Sequence, residues 1–338
     1  MPFRDPVAAL LAEKTTIILD GALATELEAR GLDISSPVWS AGALVTHPSL
    51  IRDIHFYYYR AGADIAITCS YQATPQGFNE HLGLDEDTSI ALIKKSVDLA
   101  KQAREDALFN VPPQYARTLL VAGSVGPYGA YLANGSEYTG DYDVSTKAMK
   151  DFHRVRIQAL VDAGVDLLAC ETLPKLSEAS ALLELLSEEF PEAAAWMSFS
   201  LRDPGHISDG TPVEDVLKTL NSSPQVVAVG MNCIPTTLLA PALGVWKEHT
   251  SKPLVAYPNS GERFDAVTKT WDSKLSETAL VADLVIEGRR QGARLVGGCC
   301  RTSPTDIENI AAALNTGISG MPQRTYKLPA IVEHNPAK

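Results

Sequence analysis

Cysteine is the residue type that carries most of the chemistry in this 338-residue chain, at Cys69, Cys170, Cys233, Cys299 and Cys300. An odd number of cysteines without an evident leader reads as metal binding or catalysis, not as a disulfide framework. Cys233 closes the apolar run Gly230-Met231-Asn232-Cys233, and Cys299 and Cys300 close Gly297-Gly298-Cys299-Cys300-Arg301. A lone buried cysteine is ordinarily a small core hydrophobe, and Cys69 and Cys170 are read that way. Two strand tips that carry Cys233, Cys299 and Cys300 to one mouth read instead as a thiolate metal site. Soft thiolates select zinc, and three protein ligands leave one tetrahedral position open, which marks a catalytic centre. Neighbouring residues on a strand face opposite sides. Cys299 and Cys300 can therefore share an ion only if the backbone leaves strand geometry, a freedom expected from Gly297 and Gly298. A vicinal Cys299–Cys300 disulfide is the competing reading, and a reducing compartment disfavours it.

Zinc(II) with three thiolates carries net negative charge. Such a centre is a poor Lewis acid for hydrolysis, but it suits binding a further thiol and holding it as a nucleophilic thiolate. The matching reaction is alkyl transfer to sulfur from a cationic donor. The chain has 7 histidines and no His-x-His pair, which counts against a zinc hydrolase. Asp20, before Gly21, and Glu171, in Ala169-Cys170-Glu171-Thr172, also end apolar runs. Either carboxylate could hold the ammonium of an amino-acid substrate. Asp20 could equally cap a helix over 22–29, whereas Glu171 at the end of a buried run needs a partner. If Glu171 faces the mouth, Cys170 faces the helices. Trp39, Tyr71 and Tyr128 are candidate faces for a sulfonium, with simple packing as the alternative.

These residues must be positioned by strands at 16–20, 65–70, 119–125, 167–171, 195–201, 226–232, 253–258 and 294–298. The runs are near-continuously apolar, as parallel strands covered by helices are. Helical periodicity falls between them, at 48–61, 88–107, 146–163, 176–189, 213–220, 237–249, 278–291 and 304–314. Thr46 is placed to cap the first. Three times a helix ends at a glycine and runs straight into a strand: Ala61-Gly62-Ala63-Asp64-Ile65, Ala163-Gly164-Val165-Asp166-Leu167 and Gln291-Gly292-Ala293-Arg294-Leu295. Alternating elements of this kind predict an α/β fold, a single-domain (β/α)8 TIM barrel over 1–316, with a proline-rich tail at 317–338 that wraps the surface or stays disordered. An open doubly wound sheet is the competitor. The long polar loops 126–144 and 259–273 both follow strands, on the face where barrels keep their chemistry, and read as substrate lids or as surface decoration.

The balance of 29 basic against 41 acidic residues gives a net charge of −12, which argues against a nucleic-acid surface and fits a cationic substrate. No run approaches the roughly 18 apolar residues of a membrane span. The first residues lack the basic and apolar blocks of a secretory signal. The expectation is a cytoplasmic protein without membrane or nucleic-acid partners.

The chain resembles the homocysteine S-methyltransferase family from about residue 17 to 302. The resemblance is carried by Leu19-Asp20-Gly21-Ala22, Ser70-Tyr71-Gln72-Ala73, Gly123-Ser124-Val125-Gly126-Pro127-Tyr128, Glu171-Thr172-Leu173-Pro174, Asn232-Cys233, Tyr257-Pro258-Asn259-Ser260-Gly261-Glu262 and Gly297-Gly298-Cys299-Cys300-Arg301-Thr302. It implies a zinc barrel with Cys233, Cys299 and Cys300 as ligands and homocysteine as acceptor. Asp20 and Glu171 become contacts to its amino-acid part, with Ser124 and Asn232 among the substrate contacts. Pro37-Val38-Trp39-Ser40, the stretch Gly135 to Tyr142, and Lys269-Thr270-Trp271 resemble the branch whose methyl donor is S-methylmethionine or S-adenosylmethionine. The resemblance leads us to expect neither the extension of the betaine-dependent enzymes nor the cobalamin and folate domains of methionine synthase, and a monomer or small homo-oligomer is expected. Methylation of another thiol or a selenol, and a non-catalytic zinc- or thiol-binding protein, remain the rival readings.

Overall fold

The computed structural model describes residues 3–109, 111–112, 116–261, 263–265, 270–272 and 281–314. Eight parallel strands lie in one sheet: β1 (Ile17–Ile18), β2 (Ile65–Ile67), β3 (Leu120–Val125), β4 (Leu167–Leu173), β5 (Ala195–Phe199), β6 (Val226–Asn232), β7 (Leu254–Tyr257) and β8 (Ala293–Val296). Their spatial order is β1-β8-β7-β6-β5-β4-β3-β2, so every strand neighbours its sequence neighbours. A parallel bridge between Leu19 and Ile65 joins the two ends. The order never reverses, which excludes the open doubly wound sheet and gives a closed (β/α)8 barrel. The outer helices are α1 (Pro48–Ala61), α2 (Glu86–Leu108), α3 (Thr146–Asp162), α4 (Leu176–Glu189), α5 (Val213–Asn221), α6 (Thr236–Trp246), α7 (Val281–Arg290) and α8 (Pro304–Ala313). The expected tail 317–338 lies outside the described residues, as do 262, 266–269 and 273 of the second long loop. Among the described residues no helix is long and apolar enough to cross a membrane.

The strands sort their side chains by alternation. Ile17, Leu19, Leu120, Ala122, Leu167, Ala169, Trp196, Val255 and Leu295 pack together inside the barrel, with Val7 and Leu10 of the helix Pro6–Glu13. Ile18, Val121, Leu168, Cys170, Met197, Ala256 and Val296 instead pack against Ile54, Val97, Leu182 and Leu243 of the helices. Cys170 thus faces the helices as expected, and the next residue, Glu171, faces in. Element ends differ from the sequence reading by a few residues. α1 begins after His47, without a side-chain cap. Thr46 closes the preceding short helix Ala43–Thr46, and its hydroxyl donates to Gly42 O at 3.3 Å. Pro48, with its fixed φ, starts the helix instead.

The recurring Gly-x-Asp has a structural meaning. Gly62, Gly164 and Gly292 adopt φ of 121°, 76° and 114°, closing their helices. After Gly62 and Gly164 the residue two on is an aspartate that reaches across to the neighbouring strand, whereas after Gly292 it is Arg294, whose Nε donates to Thr15 O at 2.7 Å. Asp64 Oδ2 accepts from Ile18 N at 2.8 Å, and Asp166 Oδ2 accepts from Val121 N at 2.7 Å. Asp64 is 0% exposed and also binds Lys14 Nζ at 2.6 Å. It therefore clamps the β1–β2 seam, where the barrel is joined by one bridge. Asp64→Ala leaves Ile18 N and Lys14 without their partner, and a loss of about 2–4 kcal/mol in urea unfolding is expected. A change below about 0.5 kcal/mol, the scale of an ordinary surface substitution, would contradict the clamp.

Candidate active site

The three thiols meet because the chain leaves strand geometry at two places. β6 stops at Asn232, and Cys233 turns into the left-handed region with φ 52°, its N–H donating to Tyr257 O at 3.2 Å. β8 stops at Val296. Gly298 N then donates to Asp20 O at 3.2 Å and Cys299 N to Pro258 O at 2.8 Å. A tight turn follows, in which Thr302 N and Oγ1 donate to Cys299 O at 3.1 and 2.7 Å. Both adjacent cysteines therefore face the same space. The sulfurs of Cys233, Cys299 and Cys300 lie within 4.8 Å of one another, with Cys233 and Cys300 3.5 Å apart. All five cysteines are free, so no disulfide joins Cys299 to Cys300.

The two glycines act differently from the sequence expectation. Neither is among the positive-φ glycines. What they supply is space. A Cβ at Gly297 would fall 2.7 Å from Leu19 Cβ, and one at Gly298 would fall 2.4 Å from Thr302 Oγ1. The turn bearing Cys299 and Cys300 lies directly against β1 and against its own return, and only glycine permits that approach.

Beneath the thiols the barrel interior changes from apolar to polar. Ser124, Glu171, Ser198, Asn232 and Tyr257 form a connected floor, each under 10% exposed. Glu171 accepts from Ser124 Oγ and, at 2.9 Å, from Tyr257 OH. Asn232 Oδ1 accepts from Thr172 N at 2.7 Å and from Ser198 Oγ at 2.8 Å, and its amide donates to Thr172 Oγ1 at 2.7 Å. The two hydrogen bonds between Asn232 and Thr172 pin Thr172 at φ 59°, a costly conformation for a β-branched residue. Asp20 does not cap a helix: Leu23–Ala29 starts after Ala22 without a side-chain cap. Asp20 Oδ2 instead accepts from Ile67 N at 2.9 Å, and Oδ1 has no partner.

A cavity of about 510 Å³ opens above this floor. Nine of the ten residues singled out from sequence line it: Asp20, Trp39, Tyr71, Ser124, Glu171, Asn232, Cys233, Cys299 and Cys300. Tyr128 does not. It begins the short helix Tyr128–Leu132 and packs back onto Phe152 of α3, with centroids 4.9 Å apart, and onto Tyr131 and Tyr142. The same loop reaches the cavity later, through a 3-10 turn, Ser136–Tyr138. There Glu137 and Tyr138 line the wall, and the Tyr138 hydroxyl lies 3.2 Å from Cys233 Sγ. Sequence reasoning missed both, because an aromatic in a polar loop carries no periodicity that says which way it turns. Among the described residues the five non-glycine positions with positive φ, Trp39, Ala133, Thr172, Cys233 and Arg301, line this cavity or directly follow Cys300. Strain concentrated in this way is a mark of a working site.

Electrostatically the cavity is one-sided. Asp20, Glu28, Asp33, Glu137 and Glu171 line it, and among the described residues no lysine, arginine or histidine does. Burial, before any other cause, pushes the Asp20 carboxyl well above its ordinary range, against a bond from Ile67 N and with help from the nearby Glu171 charge. Burial likewise raises Glu171 to about 7, opposed by the hydroxyls of Ser124 and Tyr257. Hydrogen bonds from Cys299 and Cys300 hold the Cys233 thiol well below its ordinary value, while the other two thiols are pushed up beside it. Without a cation only one of the trio gives up its proton readily. A tetrahedral zinc–thiolate centre places its sulfurs about 3.8 Å apart, so the cluster matches a metal site in both spacing and charge.

Fold and site together define a barrel enzyme that offers a thiol cluster to cationic ligands. A sequence profile described as homocysteine S-methyltransferase matches residues 17–314. The homocysteine S-methyltransferase of Escherichia coli strain K12 is 56% identical over 312 residues, covering 92% of this chain and 99% of that protein. Homocysteine S-methyltransferase YbgG of Bacillus subtilis strain 168 is 46% identical, covering 91% and 97%. The crystal structure of the metallated form of the homocysteine methyltransferase MmuM from Escherichia coli superposes with a TM-score of 0.82 at 53% identity, covering 91% of this chain and 99% of that one. The chain belongs to the homocysteine S-methyltransferase family.

The close approach at Gly298 can be tested directly. Gly298→Ala drives a methyl group into the stiff Thr302 side chain, so the turn must shift, and a loss of about 1–3 kcal/mol in urea unfolding is expected. Unchanged stability would mean that the turn is loosely held.

Proposed function

We propose that Cys233, Cys299 and Cys300 hold a zinc ion and that the enzyme makes methionine from homocysteine and a sulfonium donor, S-methylmethionine or S-adenosylmethionine. The reading is carried by one observation: three converging thiols line a cavity that is also lined by acids and by no basic side chain among the described residues. Zinc, when bound there, supplies the positive charge that keeps thiols deprotonated near neutral pH.

The rest is done by the chain itself. Asp20 and Glu171 stand close enough to feel each other's charge and hold the homocysteine ammonium between them. Ser124 and Tyr257 fix the Glu171 carboxylate by donating to one oxygen each. Asn232 holds Thr172 and so sets the rim beside Cys233. Trp39 and Tyr71 present aromatic faces to the sulfonium. The homocysteine sulfur forms a bond to the donor methyl carbon as the donor sulfur leaves with the electron pair of the old bond. Holding the two sulfurs and the carbon in line is the catalytic contribution of the walls.

Zinc-loaded protein incubated with homocysteine and each donor in turn tests the assignment. Methionine should form with S-methylmethionine or S-adenosylmethionine, and formation from betaine alone would overturn the donor class. Cys299→Ala should lose bound zinc, measured by metal analysis, together with turnover; a metal-free variant with wild-type rates would remove the cluster from the mechanism. Glu171 supplies a pH test. Its carboxyl is raised to about 7, and only the ionised form attracts an ammonium. As pH falls from about 7 to about 6 the ionised fraction drops roughly fivefold, and the KM for homocysteine should rise to match. Glu171→Gln should raise that KM at high pH and flatten the dependence. A wild-type KM unchanged over this range would take Glu171 out of the acceptor site.

A further inference from the structure

The reaction brings two amino acids into one cavity, each with an α-ammonium. The cavity wall offers two carboxylate oxygens with no hydrogen-bond partner: Asp20 Oδ1 on the strand floor and Glu137 Oε2 in the loop after β3. A buried acceptor without a donor costs free energy unless a ligand supplies one. Asp20 lies beside Glu171, so its free oxygen belongs to the acceptor pair. Glu137 belongs to a different element and neighbours the Cys233 sulfur.

The loop holds Glu137 firmly in place. Ser200 Oγ donates to Glu137 O at 2.8 Å. Ser136 N donates to Asn134 Oδ1 at 3.0 Å, and Tyr138 N to Gly135 O at 3.0 Å. Gly129 packs so tightly against the turn that a Cβ there would fall 2.6 Å from Glu137 N. The next residue, Tyr138, rests its hydroxyl 3.2 Å from Cys233 Sγ. The backbone of Glu137 is thus pinned one residue before the tyrosine that touches Cys233 Sγ, and its carboxylate keeps one oxygen free to accept.

We propose that Glu137 binds the α-ammonium of the methyl donor and so selects sulfonium donors that carry a free amino-acid head. The proposal rests on the sulfonium reading above. A sulfonium offers no N–H, so attraction to its charge alone would leave the Glu137 oxygen unsatisfied; an ammonium satisfies it and adds a charge-assisted hydrogen bond.

The test compares S-methylmethionine with 4-(dimethylsulfonio)butanoate, the same donor without its ammonium, in zinc-loaded wild type and Glu137→Gln. Loss of one charge-assisted bond predicts that the variant raises the S-methylmethionine KM about 10- to 100-fold. The homocysteine KM and the bound zinc should stay within about twofold, a margin below any such bond. Wild type should prefer S-methylmethionine over the truncated donor by a similar factor, and the variant should lose that preference. A variant donor KM close to wild type, a parallel rise in both substrate KM values, or a preference that survives the substitution would each overturn the assignment. If wild type makes no methionine from S-methylmethionine or S-adenosylmethionine, the donor reading itself fails. Because glutamine keeps the shape of glutamate, circular dichroism and zinc content show whether the variant is folded, and the wild-type comparison of the two donors stands on its own.

Discussion

Three sulfur atoms of like chemistry must be held within a few ångströms of one another at the edge of an otherwise apolar core. Left alone, thiolates repel, and only one of the three titrates easily. The fold imposes the arrangement through backbone bonds rather than through attraction between the sulfurs. Cys233 is turned by a bond to the Tyr257 carbonyl, and Cys299 by one to the Pro258 carbonyl, so both lean on β7 and the residue that follows it. The strand lying between β6 and β8 in the barrel therefore sets the distance between the two halves of the cluster. An open sheet would offer no such fixed intermediary across its switch point, and here the ring closure contributes directly to the chemistry.

The cost of that arrangement is visible in the backbone. Left-handed φ at a non-glycine residue costs roughly 1–2 kcal/mol, and among the described residues four of the five such positions line the cavity and the fifth, Arg301, directly follows Cys300. Compensation comes from the layer below. Asn232 makes three hydrogen bonds in full burial, two of them to Thr172. Each such bond in a dry interior resists any relaxation of the strained rim, since breaking it leaves a buried polar group unpaired. The polar floor is thus the brace for the cysteines above it.

Much of this could be read from the chain because barrel strands write their ends plainly. A near-continuous apolar run that stops at Asp20, Glu171 or Cys233 names the residue that emerges at the mouth, and alternation separates Cys170 from Glu171. What could not be read depended on the path of the chain after the strands ended. Tyr128 and Tyr138 occupy the same polar loop, and only the short helix Tyr128–Leu132 decides that the first turns outward and the second inward. Gly297 and Gly298 were recognisable as a departure from strand geometry, but the reason, close contact with Leu19 and Thr302, involves residues distant in sequence. The roles of Ser198 and Tyr257 in the floor were hidden for the same cause: each acts through a partner on another strand.

The placement of carboxylates separates two tasks. Asp20 and Glu171 stand at strand ends, where the ring of parallel hydrogen bonds fixes them, and Glu171 has both oxygens engaged by its own protein. Glu137 stands on a loop, with one oxygen unengaged. Barrels change specificity by changing loops while the strand ends stay in register. On the assignments proposed above, the acceptor is read by the hydrogen-bonded geometry of the ring and the donor by the loop after β3. A barrel of this design could exchange its methyl donor by altering the side chain at 137 and leave the thiol cluster with its Tyr138 contact, its brace and the acceptor pair untouched.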